Sequence, residues 1–187
     1  MPFTLFDTQI GACGIAWNDR GVCGVQLPEA SADATRARLI RRWGDNAEAE
    51  PSLEIAMVID AIKALMCGAP EDLTFAVLDM DGLEPFARQV YEEARRIPPG
   101  ETRTYGQIAM ALGDNGLSRR VGQALGRNPF AIIVPCHRVL AAGGKTGGFS
   151  AGGGVATKLR MLSIERARTD PAPGLFDDLP LMARPKT

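Results

Sequence analysis

TYGQIAMALGDNGLSRRVGQAL, residues 104–125, decides how the rest of the chain is read. Thr104 caps a short helix expected to run through Leu112, and Gly113 stops it. Ser118 caps a second helix, through about Leu125. Two short helices around a tight Gly-containing turn make a helix-turn-helix candidate. On pattern alone a plain helical hairpin fits equally well.

Working outward, Glu84-Pro85 starts a helix with Pro in its first turn, and Pro98-Pro99-Gly100 ends it after Ile97. Downstream, the apolar run Ile132-Ile133-Val134 stops at Pro135. A Gly-rich stretch follows from Gly143 to Gly154, then a helix from Val155 to Arg166. Towards the N-terminus, residues 3–9, 12–17 and 21–27 read as strands, with Asn18 to Gly21 as a turn. Helices are expected from Ser31 to Gly44 and from Leu53 to Cys67, and one more strand from Leu73 to Leu78. After Asp170, prolines at 171, 173, 180 and 185 break up the chain into a loose tail. The expected fold class is α/β (α+β). A small mixed N-terminal domain (1–81) precedes a mainly helical domain with a helix-turn-helix and a Cys loop (82–168), then a Pro-rich tail (169–187).

With 187 residues and 45% hydrophobic composition, the chain can bury a core without disulfides or metals. No stretch approaches the roughly 18 apolar residues that span a bilayer, and Met1-Pro2-Phe3-Thr4 lacks a signal-peptide pattern. A soluble cytoplasmic protein without membrane contact is expected, nucleoid-associated if bacterial, and monomeric. The cysteines at 13, 23, 67 and 136 are scattered, form no CxxC pair, and share the chain with a single histidine, His137. Zinc needs four ligands drawn mostly from Cys and His, so neither a metal nor another cofactor is expected. The net charge of −1 hides an asymmetry: between Phe86 and Arg166 there are 12 Lys/Arg against 5 Asp/Glu, leaving 9 and 17 elsewhere. Such a basic block suits a polyanion, although many domains carry a solvated basic face.

The chemistry centres on Pro135-Cys136-His137-Arg138-Val139. A thiol attacks as thiolate, and a nearby imidazole is one way to lower its pKa. Adjacent side chains diverge, so a water bridging Cys136 and His137 suits the spacing better than a direct bond. Glu165, near the end of the last helix, is placed to fix the imidazole tautomer. A buried structural Cys beside a surface His is the competing reading. Gly144-Lys145-Thr146 does not complete a P-loop, because Val139 stands where GxxxxGK[ST] requires glycine. The glycines instead suit a loop that approaches a ligand closely.

Pro85 to Glu165 resembles the O6-alkylguanine-DNA alkyltransferases. Their Ile-Pro-Cys-His-Arg-Val signature appears as Val134-Pro135-Cys136-His137-Arg138-Val139. Ile97 to Thr102, Thr104 to Ala109, Arg119 to Gly122, Arg127-Asn128-Pro129 and Glu165 match in the same order. The resemblance implies that Cys136 accepts the alkyl group, with His137 as water-mediated base and Glu165 orienting it. Asn128 would brace the Cys loop, and Tyr105 would donate towards the leaving oxygen. Arg119 would replace the flipped nucleotide in the stack, with Ser118 at the helix N-terminus and Arg120 beside it towards the phosphates. The carbonyls of Cys136 and Val139 and the amide of Ser150 would read the guanine edge. Gly147, Gly148, Phe149 and Ser150 would wall the alkyl pocket. Here Phe149 replaces a common Tyr, Tyr91 a common Trp, and the loop 150–154 is longer than usual.

The implied function is direct reversal of O6-alkylguanine in double-stranded DNA, by base flipping and irreversible, stoichiometric transfer to Cys136. The alternative is a non-enzymatic relative that binds alkylated guanine and flags it for other repair, but such relatives replace the acceptor. An unrelated Cys–His hydrolase and an inactive helix-turn-helix regulator are disfavoured by Cys136, His137 and Glu165 occurring together with Arg119. In the tail, Gly174 to Leu179 superficially resembles Leu-Phe peptides that dock on a sliding clamp; a loose tail with a stray apolar pair is the favoured reading.

Overall fold

The computed structural model describes residues 1–44, 48–149 and 153–167. Strands β1 (Phe3–Thr8), β2 (Gly11–Asn18) and β3 (Gly21–Gln26) form an antiparallel meander in the order β1-β2-β3. Helix α1 (Ala32–Trp43) is capped by the Ser31 side chain, which accepts from the amide of Ala34. It lies tightly on the sheet because glycines stand where Leu39 and Trp43 meet it. A Cβ at Gly14 would sit 2.0 Å from Leu39 Cδ1, and one at Gly24 2.0 Å from Trp43 Cζ2. Helix α2 (Leu53–Leu65) turns Ile55, Val58, Ile59, Ile62 and Leu65 inward at helical spacing.

The second half contains α3 (Pro85–Arg95), β4 (Arg103–Thr104), α4 (Tyr105–Ala111), α5 (Ser118–Gly126), β5 (Val139–Leu140) and α6 (Gly154–Ile164). Thr104 and Gln107 close a capping box at the start of α4. Gly113 follows it at φ 98°, and α4 packs on α5, giving the expected helix-turn-helix connectivity. The parallel pairing of β4 with β5 ties the start of α4 to the segment after Cys136. One hydrophobic core runs through both halves, from Phe6, Ile15 and Ile59 to Tyr91, Phe130 and Met161. The Val25 amide donates to the Pro129 carbonyl at 2.8 Å, so the last strand of the meander reaches the segment that leads to Cys136. Among the described residues, no helix is long and apolar enough to cross a membrane.

Two expectations are corrected. Residues 73–78 are not a strand. Leu78 meets Val22 only in an isolated parallel bridge, and Arg95 supplies the donors that a ladder would have provided. Its Nη2 donates to the carbonyls of Leu73, Thr74 and Ala76 at 3.3, 2.7 and 2.9 Å. Nor does Ser118 cap α5. A 3-10 turn, Asn115–Leu117, leads directly into the helix, and the Ser118 hydroxyl donates back to Asn115 O at 2.8 Å. Asp114 takes the capping role at that turn, accepting from the amide of Gly116. Ser150 and the expected tail, with its proposed clamp peptide, lie outside the described residues.

Candidate active site

A braced loop delivers Cys136. Asn128 Nδ2 donates to Val134 O at 2.9 Å while its Oδ1 accepts from the Phe130 amide at 2.9 Å, so one side chain ties both sides of the loop. Between them the chain reverses over Ala131–Val134 with Ile132 at φ 72°. A β-branched residue rarely adopts this left-handed conformation. Burial of Ile132 at 1% exposure and the Asn128 clamp hold it there. After Pro135, a 3-10 turn (Cys136–Arg138) presents Cys136, half-buried, on one side and His137, fully buried, on the other.

Glu165, at the C-terminal end of α6, collects the charges behind this turn. Its Oε1 lies 2.9 Å from His137 Nε2, and Arg138 donates to it twice, from Nε to Oε2 and from Nη2 to Oε1, each at 2.8 Å. Arg138 Nη1 also donates to Ile97 O at 2.6 Å. Burial works to raise the Glu165 carboxyl, but the hydrogen bonds from His137 and Arg138 overcome it and hold the group at about 2. An ionised carboxylate only accepts, so Nε2 carries the imidazole proton and Nδ1 is the free acceptor. That Nδ1 is buried and has no hydrogen-bond partner among the described residues. Burial also pushes the imidazole below its ordinary value, against the pull of Glu165, leaving a neutral base.

The thiol behaves differently from the depressed value expected from the sequence. Burial pushes Cys136 up, opposed by a hydrogen bond with Asn128 and the charge of Lys158. At rest it is a neutral thiol that needs a base to become a nucleophile. Burial likewise pushes Cys13 and Cys23 up, to about 12 and about 11.

A cavity of about 270 Å³ opens beside Cys136, lined by Tyr105, Leu125, Asn128, Ala131 and Phe149, with Arg42 of α1 contributing from the first half. Tyr105, Gly148 and Phe149 also border a second hollow on the side of α5, where Ser118 and exposed Arg119 lie. Tyr105 is half-buried, and burial followed by its proximity to Cys136 raises its phenol. Gly147, at φ 65°, backs onto this ring; a Cβ there would lie 3.2 Å from the Tyr105 hydroxyl. Arg120 is turned away, its guanidinium 4.2 Å above the Phe86 ring and 3.3 Å from Glu84 Oε1. Most of the expected residues therefore gather around Cys136 or on the adjoining α5 face, and Arg120 stands apart.

Two residues of this centre were not singled out from the sequence. Arg138 sits inside the signature but was given no role there. Lys158 is fully buried, its Nζ donating to Val139 O at 2.7 Å. Its signal was present in α6: Lys158, Met161, Leu162 and Glu165 follow the i, i+3, i+4, i+7 spacing of a buried face.

Residues 85–167 match the family described as 6-O-methylguanine DNA methyltransferase, DNA binding domain. A methylated-DNA–protein-cysteine methyltransferase from Mycolicibacterium paratuberculosis is 35% identical over 95% of this chain and 99% of its own length. One from Methanothermobacter thermautotrophicus is 33% identical over 81% of this chain and 78% of its own. Among solved structures, Mycobacterium tuberculosis OGT in complex with DNA superposes with a TM-score of 0.72 at 31% identity, covering 89% of this chain and 93% of the other. The O6-methylguanine-DNA methyltransferase from Pyrococcus kodakaraensis gives 0.67 at 28% identity, covering 87% and 98%.

Proposed function

Because this chain belongs to the methylated-DNA–protein-cysteine methyltransferase family and is a methyltransferase of DNA repair, we propose that it takes alkyl groups from O6 of guanine in duplex DNA onto Cys136, once per molecule. The observation that carries this reading is the buried imidazole next in sequence to half-buried Cys136: its Nε2 is held by Glu165, and its Nδ1 has no hydrogen-bond partner among the described residues. His137 Nδ1 takes the Sγ proton by way of a water, and the imidazolium so formed is stabilised by the Glu165 carboxylate. The sulfur lone pair attacks the alkyl carbon from the side opposite O6. As the C–O6 bond breaks, its electrons pass to the guanine oxygen, where the Tyr105 hydroxyl donates a hydrogen bond. The proton lost by the thiol is balanced by the one that guanine gains. A thioether is a poor leaving group, so the product is permanent.

A base inside the duplex cannot reach a recessed sulfur, so the nucleotide is extruded, at a cost of a few kcal/mol. Arg119, exposed on α5 beside the cavity, is placed to fill the gap in the stack. Val139 O retains a lone pair beyond its bond to Lys158, and it serves with Cys136 O as an acceptor for the guanine edge; Gly147 and Gly148 contribute to the wall. The protein acts as a monomer on double-stranded DNA. Incubation with an O6-methylguanine oligonucleotide, followed by peptide mass spectrometry, is expected to place one methyl group on Cys136 and no more. Turnover beyond one equivalent, or methyl on Cys13, Cys23 or Cys67, overturns the reading.

A further inference from the structure

Lys158 is a buried cation without a carboxylate. Its side chain is fully enclosed, and no ion pair forms with it among the described residues. Its ammonium donates to a neutral carbonyl, Val139 O, at 2.7 Å. Enclosing a charge in this way is unfavourable unless something compensates for it. The Val139 amide in turn donates to Cys136 O, so the ammonium lies one hydrogen bond beyond the end of the 3-10 turn that carries the nucleophile. The Phe149 ring, 6.0 Å from Nζ, closes another side.

We propose that Lys158 is a positioning residue for the transfer reaction: it fixes the Val139 end of the Cys136 turn and supplies the positive charge that stabilises the Cys136 thiolate while the sulfur is deprotonated. The inference rests on Cys136 being the nucleophile. Glu165 places a negative charge at the imidazole end of the Cys136–His137 pair, and Lys158 places a positive charge at the sulfur end. Together they favour moving the proton from sulfur to nitrogen. No proton leaves Lys158 in this step; the Sγ proton goes to His137.

The electrostatics agree in direction on both partners. The charge of Lys158 lowers the Cys136 thiol, and Cys136 raises Lys158, whose burial otherwise brings it down to about 8. Lys158 also weakly disfavours the His137 imidazolium, and Arg138 does the same; Glu165 counters both. Tyr105 and Tyr91 are the other titrating groups that sense the sulfur.

The test reads the thiol without guanine chemistry, so it fails separately from the alkyl-transfer reading. Iodoacetamide labelling of the Cys136 peptide is followed against pH by mass spectrometry for the wild type, Lys158→Met and Lys158→Arg. In Lys158→Met the labelling midpoint is expected to rise by about one pH unit or more, with about tenfold slower labelling near neutrality. Lys158→Arg keeps the charge and should restore most of the wild-type profile. An unchanged midpoint in folded Lys158→Met, or an equal shift in both variants, overturns the proposal. Should Lys158→Met fail to fold, Lys158→Gln is read in the same way, and an unchanged midpoint there overturns the proposal.

Discussion

The two halves of the molecule share one hydrophobic core but place their polar groups in opposite ways. In the meander and its helices, ion pairs lie at the surface, as in Arg36 with Asp33 and Glu48 or Arg38 with Glu29. Among the described residues, the buried polar side chains of that half are the uncharged Gln26 and Thr35. The second half buries Glu93, His137, Arg138, Lys158 and Glu165. Exposed pairs contribute little to stability, and a buried charge is unfavourable unless it is well paired. Four of those five, His137, Arg138, Lys158 and Glu165, gather about the Cys136 turn, whereas the other half keeps its interior apolar.

The sharpest way to break this contrast is Glu165→Gln. It leaves Arg138 with a weaker acceptor and removes the charge that stabilises the imidazolium. Single-turnover transfer is expected to fall by about 10² or more and stability by about 3 kcal/mol, read by quench-flow and denaturant titration, while DNA affinity stays near wild type. An unchanged rate would remove Glu165 from the mechanism. The same group sets an acid limit. Its folded value of about 2 lies below the ordinary 4.5, so its stabilisation is full above that ordinary value and is lost as pH falls towards 2. His137, lowered from 6.5, acts in the same direction at milder acidity. Thermal unfolding of Glu165→Gln should accordingly lose the low-pH part of the wild-type decline.

Gly14→Val tests the supporting half. The new side chain meets Leu39 of α1, and a loss of about 1–3 kcal/mol is expected, with the transfer rate of the folded fraction unchanged. A slower rate in fully folded variant would show that α1 tunes the cavity wall. Arg119→Ala separates flipping from chemistry: duplex repair should slow about tenfold more than reaction with free O6-benzylguanine, roughly 1.4 kcal/mol. Equal slowing would assign Arg119 to the pocket or the fold. The smallest effect is expected from Thr104→Ala, which opens the capping box of α4 and costs about 1 kcal/mol. A much larger loss would mean that α4 also holds Tyr105 in place.

Regular periodicity made much of the scaffold legible. The three strands and the helices near residues 32–43, 53–65 and 85–95 follow from alternation, caps and punctuation. Residues 73–78 misled because their backbone partners come from the Arg95 side chain, which no strand pattern reveals. Cys136 and His137 stood out as the chain's sole Cys–His neighbours, and Glu165 was a candidate partner of the imidazole that the resemblance reinforced. Arg138 and Lys158 were missed because charged residues are read as solvated by default. The exception was visible only in register, where Lys158 falls on the same helical stripe as Met161 and Leu162. The 3-10 entrance to α5 was hidden because Ser118 is a good cap in sequence while its hydroxyl is used backwards, on Asn115.

The Glu165 contact also has a consequence for biosynthesis. His137 and its carboxylate partner are separated by 28 positions, so on the ribosome the nucleophile's turn emerges before the residue that orients its base. Until α6 forms and docks, the imidazole has no fixed tautomer and Arg138 lacks its acceptor. On the proposed mechanism, a nascent chain thus carries an idle thiol until α6 is in place.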